Sequence, residues 1–272
     1  MDQLQHNSLI DEDQRLMARI KDGLRIKVLE ETTPRYRELV TGILLQFADS
    51  QLAGATGYGE CLSISPTLKD RKRLGLIVVE KLAMVEKIYS LLEAQNLQMS
   101  KYFASHPWHA RVLRDARLGF HRASSDKRLN ALMYPLQGWI DLGVFSYLMS
   151  SMTCLMIEDF IGSSFSPLSD LCTEFLPTEQ CHEAFGQQQL SLAARSEQHS
   201  LSCQASLNYW YARVADSFGP SGSVRNVFHR EFGLKKATNR DLRQRWRTSV
   251  KDGCQSLGLQ LPVSHEDAPT CN

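Results

Sequence analysis

The sequence lacks a surplus of charge of either sign. Its 272 residues contain 31 lysines and arginines against 30 aspartates and glutamates, which gives a formal net charge of +1. A nearly neutral chain has no protein-wide field that would attract nucleic acid or an anionic membrane surface. We therefore expect neither a nucleic-acid partner nor a membrane partner.

Disulfide and zinc frameworks are also missing. The seven cysteines are an odd number, and no two have the Cys-x-x-Cys spacing of a structural zinc site. The first residues contain no apolar core of the kind that a secretory signal needs. The most apolar run covers residues 142–157, which is shorter than the roughly 20 residues of a bilayer span. These absences predict a cytoplasmic protein with one buried apolar helix.

Apolar residues recur at helical spacing along almost the whole chain. Without strand patterns, repeats or linkers, this predicts one all-α domain at 34–261, a four-helix bundle with additional helices. Residues 1–33 form a polar lead-in, and a disordered tail is expected at 262–272. Prolines, glycines and capping residues predict helices at 34 to about 53, 65–94, 109–118, 135–160, 168–198, 200–217 and 238–257. A glycine loop at 54–59 should end the first of these, and Ser65 should be the N-cap of the second. Pro177 should kink the helix at 168–198.

One motif of metal chemistry is present, and it occurs once. Glu179 and His182 are three residues apart, which places a carboxylate and an imidazole on the same face of a helix. Helical di-iron and di-manganese proteins use two such Glu-x-x-His pairs together with a carboxylate from each of two further helices. A single pair is half of such a site, and single pairs also arise by chance. The residues that face this pair therefore decide its chemistry.

Several segments resemble the catalytic A-type subunit family of bacterial phenylacetyl-CoA epoxidase, a ferritin-like oxygenase of phenylacetate degradation. The resemblance covers residues 36–261. Its most specific part is Thr-Asn-Arg-Asp-Leu-Arg-Gln-Arg-Trp at 238–246, close to the family motif T-N-D-E-L-R-Q-R-F. Ser-Pro-Thr-Leu at 65–68 and Trp-Ile-Asp-Leu-Gly-Val at 139–144 also match. The resemblance implies a ferritin-like bundle.

The resemblance also implies a two-iron site, but most of its ligand positions are changed in this chain. The family uses a Glu, a Glu-x-x-His pair, an Asp and a second Glu-x-x-His pair. The matching residues here are Gln51, then Lys81 and Met84, then Ser150, and finally the retained pair Glu179 and His182. This pattern predicts a degenerate site without a resident metal.

A cation at a former ligand position has a direct consequence for its neighbour. If Lys81 points inward, its ammonium should pair with Glu179, since an unpaired charge in the bundle would be costly. Glu80, Asp49 and Glu86 are the acidic residues that could rebuild a metal site, although Glu80 lies about 100° around the helix from Lys81.

Basic residues suggest a second part of the site. Members of the resembled family bind a coenzyme A thioester through basic side chains, and Lys127 together with Lys235 or Lys236 occupies matching positions. Lysine binds phosphate as a point charge. The resemblance thus implies that an acyl thioester of coenzyme A or of a carrier protein binds here. The alternative is that these lysines only keep the surface soluble.

Three functions stay open on the sequence. The first is a metal-independent enzyme of acyl-thioester metabolism, in which Lys81, Glu179 and His182 perform acid–base chemistry. The second is a non-catalytic structural subunit of an oxygenase-like complex, and the third is a di-iron oxygenase with an atypical site. In each case we expect a homo-oligomer or a heteromer with a related subunit. An open pocket that reaches His182 would favour an enzyme, and a closed site would favour a structural subunit.

Overall fold

Helices make up nearly all regular structure of the chain. The computed structural model describes residues 3–121 and 127–262, and within them the only strand-like pairing is an isolated bridge between Ile26 and Phe165. The helices are α1 (Gln3–Lys21), α2 (Pro34–Glu60), α3 (Leu68–Glu93), α4 (Met99–Ser105), α5 (Trp139–Phe160), α6 (Ser166–Ala194), α7 (Ser200–Asp216), α8 (Val224–Glu231) and α9 (Asn239–Gln255).

Four long helices form the bundle. α2 and α3 pack together as one hairpin, and α5 and α6 pack together as a second hairpin. Contacts between α3 and α6 join the two hairpins. α7 and α9 also pack against α5, so α5 carries buried residues all around its circumference. These observations confirm the prediction of an all-α, ferritin-like four-helix bundle with additional helices.

The apolar helix α5 is the core of this arrangement. It is the one helix in the described residues that is long and apolar enough to cross a membrane, but 78% of its most apolar stretch is buried inside the protein. Trp246 of α9 donates its indole N–H to Ser151 Oγ on α5 over 3.0 Å. Trp210 of α7 packs on Phe145 with the ring centroids 4.6 Å apart. The indole N–H of Trp246 therefore has a hydrogen-bond acceptor inside the core.

The predicted polar lead-in contains a full helix that packs against the bundle. α1 and the segment after it bury Leu16, Ile20, Ile26 and Leu29 in the apolar cluster that also contains residues of α2. The backbone N–H of Ile26 donates to the carbonyl of Ser164, between α5 and α6, over 2.8 Å. The lead-in is therefore attached to the bundle core, while the tail from residue 263, expected to be disordered, lies outside the described residues.

The prediction that α2 ends at its glycine-rich segment is wrong, because the helix continues to Glu60. Gly54, Gly57 and Gly59 all lie within it. Gly54 faces α3, and a Cβ there would be in ordinary contact with the Lys81 side chain, 3.5 Å from its Cδ. Glycine destabilises an isolated helix relative to alanine, yet α2 stays helical through all three positions.

Two predictions around α3 are also wrong. The N-cap of α3 is Thr67, whose side chain accepts a hydrogen bond from the first turn, and not Ser65. Residues 109–118 do not form a helix. Their backbone is held by distant partners instead, as where the N–H of Val112 donates to the carbonyl of Met133 over 2.9 Å. The short helix α4 lies before this segment.

Later helix boundaries agree better with the predictions. α6 runs without a break through Pro177, so the helix does not restart there. α7 lies within the predicted range, and α9 begins with a capping box between Thr238 and Asp241. α8 was not predicted, although its N-cap Ser223 is a typical helix start.

Candidate functional site

A buried ion pair lies where the two hairpins of the bundle meet. Lys81 Nζ on α3 is 3.0 Å from Glu179 Oε1 on α6, as the sequence predicted. Gln51 on α2 completes the contact, because its Nε2 donates to Glu179 Oε1 over 2.8 Å and its Oε1 accepts from Lys81 Nζ over 2.9 Å. Glu179 is fully buried, and the other two residues are nearly so. Each member of this triad therefore has its polar partner inside the protein.

A histidine extends the polar cluster away from Lys81. His182 Nε2 is hydrogen-bonded to Glu80 Oε2 over 2.8 Å, and Glu80 Oε1 lies 3.7 Å from Arg73 Nη1 near the surface. On the other side, His182 Nδ1 is 3.2 Å from Glu179 Oε2, but without the direction of a regular hydrogen bond. Glu80 thus reaches the site through His182, a contact that its helical angle to Lys81 did not suggest.

The charges around Glu179 keep it ionised. Burial by itself would raise the pKa of Glu179, but the Lys81 ammonium and then the His182 and Gln51 side chains hold that pKa well below its usual range. A carboxylate that is 0% exposed is stable inside an apolar bundle only with such partners. The charge of Glu179 is therefore balanced by side chains within the same buried cluster.

The residues of this cluster do not fit a two-metal centre. Glu179 Oε2 and His182 Nδ1 are buried and lack a regular hydrogen bond, so this pair could contribute two donor atoms to one ion. The next side chain in contact with Glu179 is the Lys81 ammonium, which cannot coordinate a metal while it is protonated. Within residues 3–121 and 127–262, no group of three or more His, Cys, Asp or Glu side chains is arranged to hold a metal ion.

The other positions that the resemblance matches to metal ligands are dispersed, and so are the acidic residues that could replace them. Met84 is buried in the apolar core, and Ser150 lies on the wall of a cavity. Asp49 accepts a hydrogen bond from the Tyr102 hydroxyl over 2.8 Å, and Glu86 is exposed. Of the three acidic residues considered for a rebuilt site, only Glu80 touches the cluster, and it does so through the histidine.

A cavity of about 200 Å³ lies beside the cluster, between α2, α5 and the segment that contains α8. Its wall is mostly apolar, and Lys81, Gln51 and Ser150 form part of it. Exposed residues near Pro220 and Arg225 also line it, so it opens to the surface at that end. The apolar part of the wall includes Ile43, Phe47, Leu129, Leu132, Phe145, Met149, Met152, Met156, Ile157 and Phe160.

The retained Glu-x-x-His pair lies behind this cavity. Neither Glu179 nor His182 is among its lining residues, and His182 is 1% exposed. A ligand in the cavity would meet the cluster through Lys81 and Gln51. An open cavity is therefore present beside Lys81, but it does not reach His182, which was the feature that would have favoured an enzyme.

The three lysines predicted to bind phosphate do not form one surface. Lys235 is 5% exposed, lines the cavity and lies 3.6 Å from Asp159 Oδ2. Lys236 is exposed, and Lys127 is half-buried at the edge of the undescribed segment and does not line the cavity. Lys235 therefore faces the cavity while its neighbour Lys236 faces outward, and phosphate binding by these lysines stays a prediction.

Sequence reasoning missed the polar residues of α8. Arg225, Asn226 and His229 all line the cavity, and the last two are three residues apart on one face of the helix. They could have been found only if α8 had been predicted from its N-cap at Ser223. Even then, nothing local shows that this short helix closes one side of a cavity.

The fold is a ferritin-like helical bundle, and a polar cluster lies where its two hairpins meet. These two features define the class of this protein. The chain belongs to the phenylacetic acid catabolic protein family, whose sequence model matches residues 17–269. It is 21% identical over 254 residues to the A-type subunit of 1,2-phenylacetyl-CoA epoxidase from Escherichia coli (strain K12), across 92% of this chain and 77% of that protein. The predicted family is thereby confirmed.

Proposed function

We propose that this protein binds an acyl thioester in the cavity beside Lys81 and acts on the acyl chain without a two-metal centre. The observation that carries the proposal is the Lys81 ammonium, which lines an apolar cavity and pairs with Glu179 at the position where the resemblance places metal ligands. The thioester class comes from the E. coli relative, whose name specifies phenylacetyl-CoA.

The cavity has the size and character for an acyl or aryl group. An engineered cavity of about 150 Å³ in another protein binds benzene, and this one measures about 200 Å³. Its wall is mostly apolar, with polar groups only in a few places, which is the usual composition of a small-molecule site. The thioester could be carried by coenzyme A or by the phosphopantetheine arm of a carrier protein, both of which would enter at the open end.

Lys81 is the residue that we assign to the ligand directly. An ammonium has three N–H donors, and within the described residues two of them point to Gln51 Oε1 and Glu179 Oε1. The third is left for a carbonyl oxygen in the cavity, where it would stabilise negative charge that develops on that oxygen. Glu179 and His182 lie behind Lys81, and we propose that they position it and balance its charge.

The second candidate function is that of a non-catalytic subunit in a heteromer. Two observations favour it: Glu179 and His182 do not reach the cavity, and α3 exposes Leu76, Val79 and Leu82, with Val79 62% exposed. Apolar residues repeated along one exposed helix are typical of a protein–protein contact. The relative is itself designated as one subunit of its enzyme.

Binding of phenylacetyl-CoA, measured by isothermal titration calorimetry, tests the proposal. We expect saturable binding by the wild-type protein and binding weakened by about tenfold or more in Ser150→Leu, because the larger side chain fills the cavity beside Lys81. Thr248→Leu, on the exposed face of α9, is the matched control and should bind normally. Absence of wild-type binding, or equal binding by Ser150→Leu, would contradict the proposal.

Metal content separates the proposal from the third hypothesis, an oxygenase with an atypical iron site, which family membership by itself favours. We expect far less than one iron per chain, by mass spectrometry, in protein produced with added iron and purified without a chelator. The physical reason is the Lys81 ammonium, which occupies the position of a ligand and repels a cation. About two irons per chain would restore the oxygenase.

A further inference from the structure

The part of the cavity wall formed by α8 and the turn after it carries a second group of polar side chains that the proposed reaction does not use. Asn226 and His229 lie on α8, and Lys235 follows shortly after the helix; all three line the cavity. The backbone N–H of Lys235 donates to the carbonyl of His229 over 3.1 Å, which holds the lysine against the end of α8. Asn226 and Lys235 are each 5% exposed.

These groups have unused hydrogen-bonding capacity. Within the described residues, Asn226 Nδ2 and His229 Nε2 are buried and have no hydrogen-bond partner. Asn226 is held in orientation, because its Oδ1 accepts from the backbone N–H of Asn239 over 3.3 Å. A buried donor without an acceptor is unfavourable, so the arrangement favours a ligand that supplies acceptor atoms.

Lys235 also has donors to spare. Its closest polar contacts are Asp159 Oδ2 at 3.6 Å and Met156 Sδ at 3.9 Å, both longer than a regular charge-assisted hydrogen bond. Asp159 Oδ1 is already occupied by the backbone N–H groups of Lys236 and Ala237. An acceptor in the cavity could therefore approach the ammonium without breaking a short contact.

The charge balance of this wall is positive. Asp159 offsets Lys235, and Arg225 on the same helix contributes a further cation. Burial, followed by the positive charges of Lys235 and Arg225, lowers the pKa of His229 from 6.5 to about 3, so that the imidazole is neutral at pH 7. One excess positive charge beside two neutral side chains matches a singly charged anion better than a multiply charged phosphate.

We infer that Asn226, His229 and Lys235 form a binding site for the carboxylate of an aryl-alkyl or short-chain carboxylic acid. The apolar part of the acid would lie along the wall that Met156 and Phe160 provide. The inference shares the cavity of the proposed function but not its ligand class. It adds a free acid, either a product of thioester cleavage or a separate ligand, to the compounds that this protein binds.

Calorimetric titration with 4-phenylbutyrate, and with its neutral amide as the matched ligand, tests the site. We expect the acid to bind about tenfold or more tighter than the amide. Asn226→Asp retains the acceptor atom that Asn239 uses but introduces a negative charge, and it should abolish this preference. Lys235→Met should do the same, whereas Lys251→Met, on the exposed face of α9 and outside the cavity lining, should bind as the wild type does.

Other results of these titrations would contradict either the carboxylate site or the proposed function. Equal affinity for acid and amide, or an unchanged preference in folded Asn226→Asp, would overturn the carboxylate site. Displacement of the acid by inorganic phosphate at similar concentration would also overturn it and identify a phosphate site instead. Binding of phenylacetyl-CoA without binding of the acid would remove this inference alone, while binding of the acid without the thioester would remove the proposed function alone.

Discussion

Replacement of Lys81 by methionine is expected to lower the free energy of unfolding by about 3–5 kcal/mol, the usual cost of removing one partner of a buried ion pair. Among the described residues, the variant leaves Glu179, which is 0% exposed, with no cation in contact except when His182 is protonated. Methionine fills a similar volume, so the loss is electrostatic and not a cavity effect. Urea unfolding at pH 7, followed by circular dichroism, measures the change.

Two further variants show whether the charge of Glu179 is the cause. Lys81→Met combined with Glu179→Gln should recover most of the lost stability, because the buried carboxylate is removed with its partner. Lys87→Met removes a cation that pairs with Glu174 on the exposed surface, and it should change stability by less than about 1 kcal/mol. A Lys81→Met variant as stable as the wild type would show that Lys81 does not compensate Glu179.

Substitution of Gly186 by alanine is expected to destabilise the protein by about 1–3 kcal/mol or more, the range of overpacked cores. Gly186 is on α6, and a Cβ there would lie 2.3 Å from the backbone nitrogen of Tyr147 and 2.6 Å from its Cα on α5. Backbone atoms cannot rotate away, so the two helices must separate. Because α6 also carries Glu179 and His182, the separation would shift the polar cluster against Lys81.

The matched control for this substitution is Gly59→Ala at the end of α2. Among the described residues, apart from its neighbours in the helix, no atom lies within 4 Å of a Cβ built at Gly59, and its backbone is helical. Alanine there should stabilise the protein by about 0.5–1 kcal/mol, since glycine loses more conformational freedom on folding. The melting temperatures of the two variants should therefore shift in opposite directions, down for Gly186→Ala and up for Gly59→Ala. A Gly186→Ala variant with unchanged melting temperature would show that α5 and α6 do not need this close approach.

The contact between Lys81 and Glu179 was predictable, because a buried charge needs a partner and the helical pattern places both residues inside the bundle. The hydrogen bond between Glu80 and His182 was not predictable in the same way. Its geometry depends on how far α3 and α6 are rotated against each other and on the reach of a long side chain. Neither quantity can be derived from the spacing of residues along the sequence.

The difference between Lys235 and Lys236 shows a similar limit. The two lysines are neighbours with the same chemistry, yet one is 5% exposed in the cavity wall and the other is on the surface. Their positions depend on the turn after α8, where the carbonyl of His229 accepts from the N–H groups of Leu234 and Lys235. α8 itself was not predicted, so no argument from sequence could place them.

By itself, the sequence determined the helical class, the apolar core helix α5, the capped start of α9 and the family. Those features follow from periodicity, caps and motifs, which act over a few neighbouring residues. Only the tertiary structure decided that α2 continues through its glycines, that the cavity reaches Lys81 but not His182, and that α8 supplies part of its wall. These features depend on contacts between segments far apart in the chain, where packing overrides local preference.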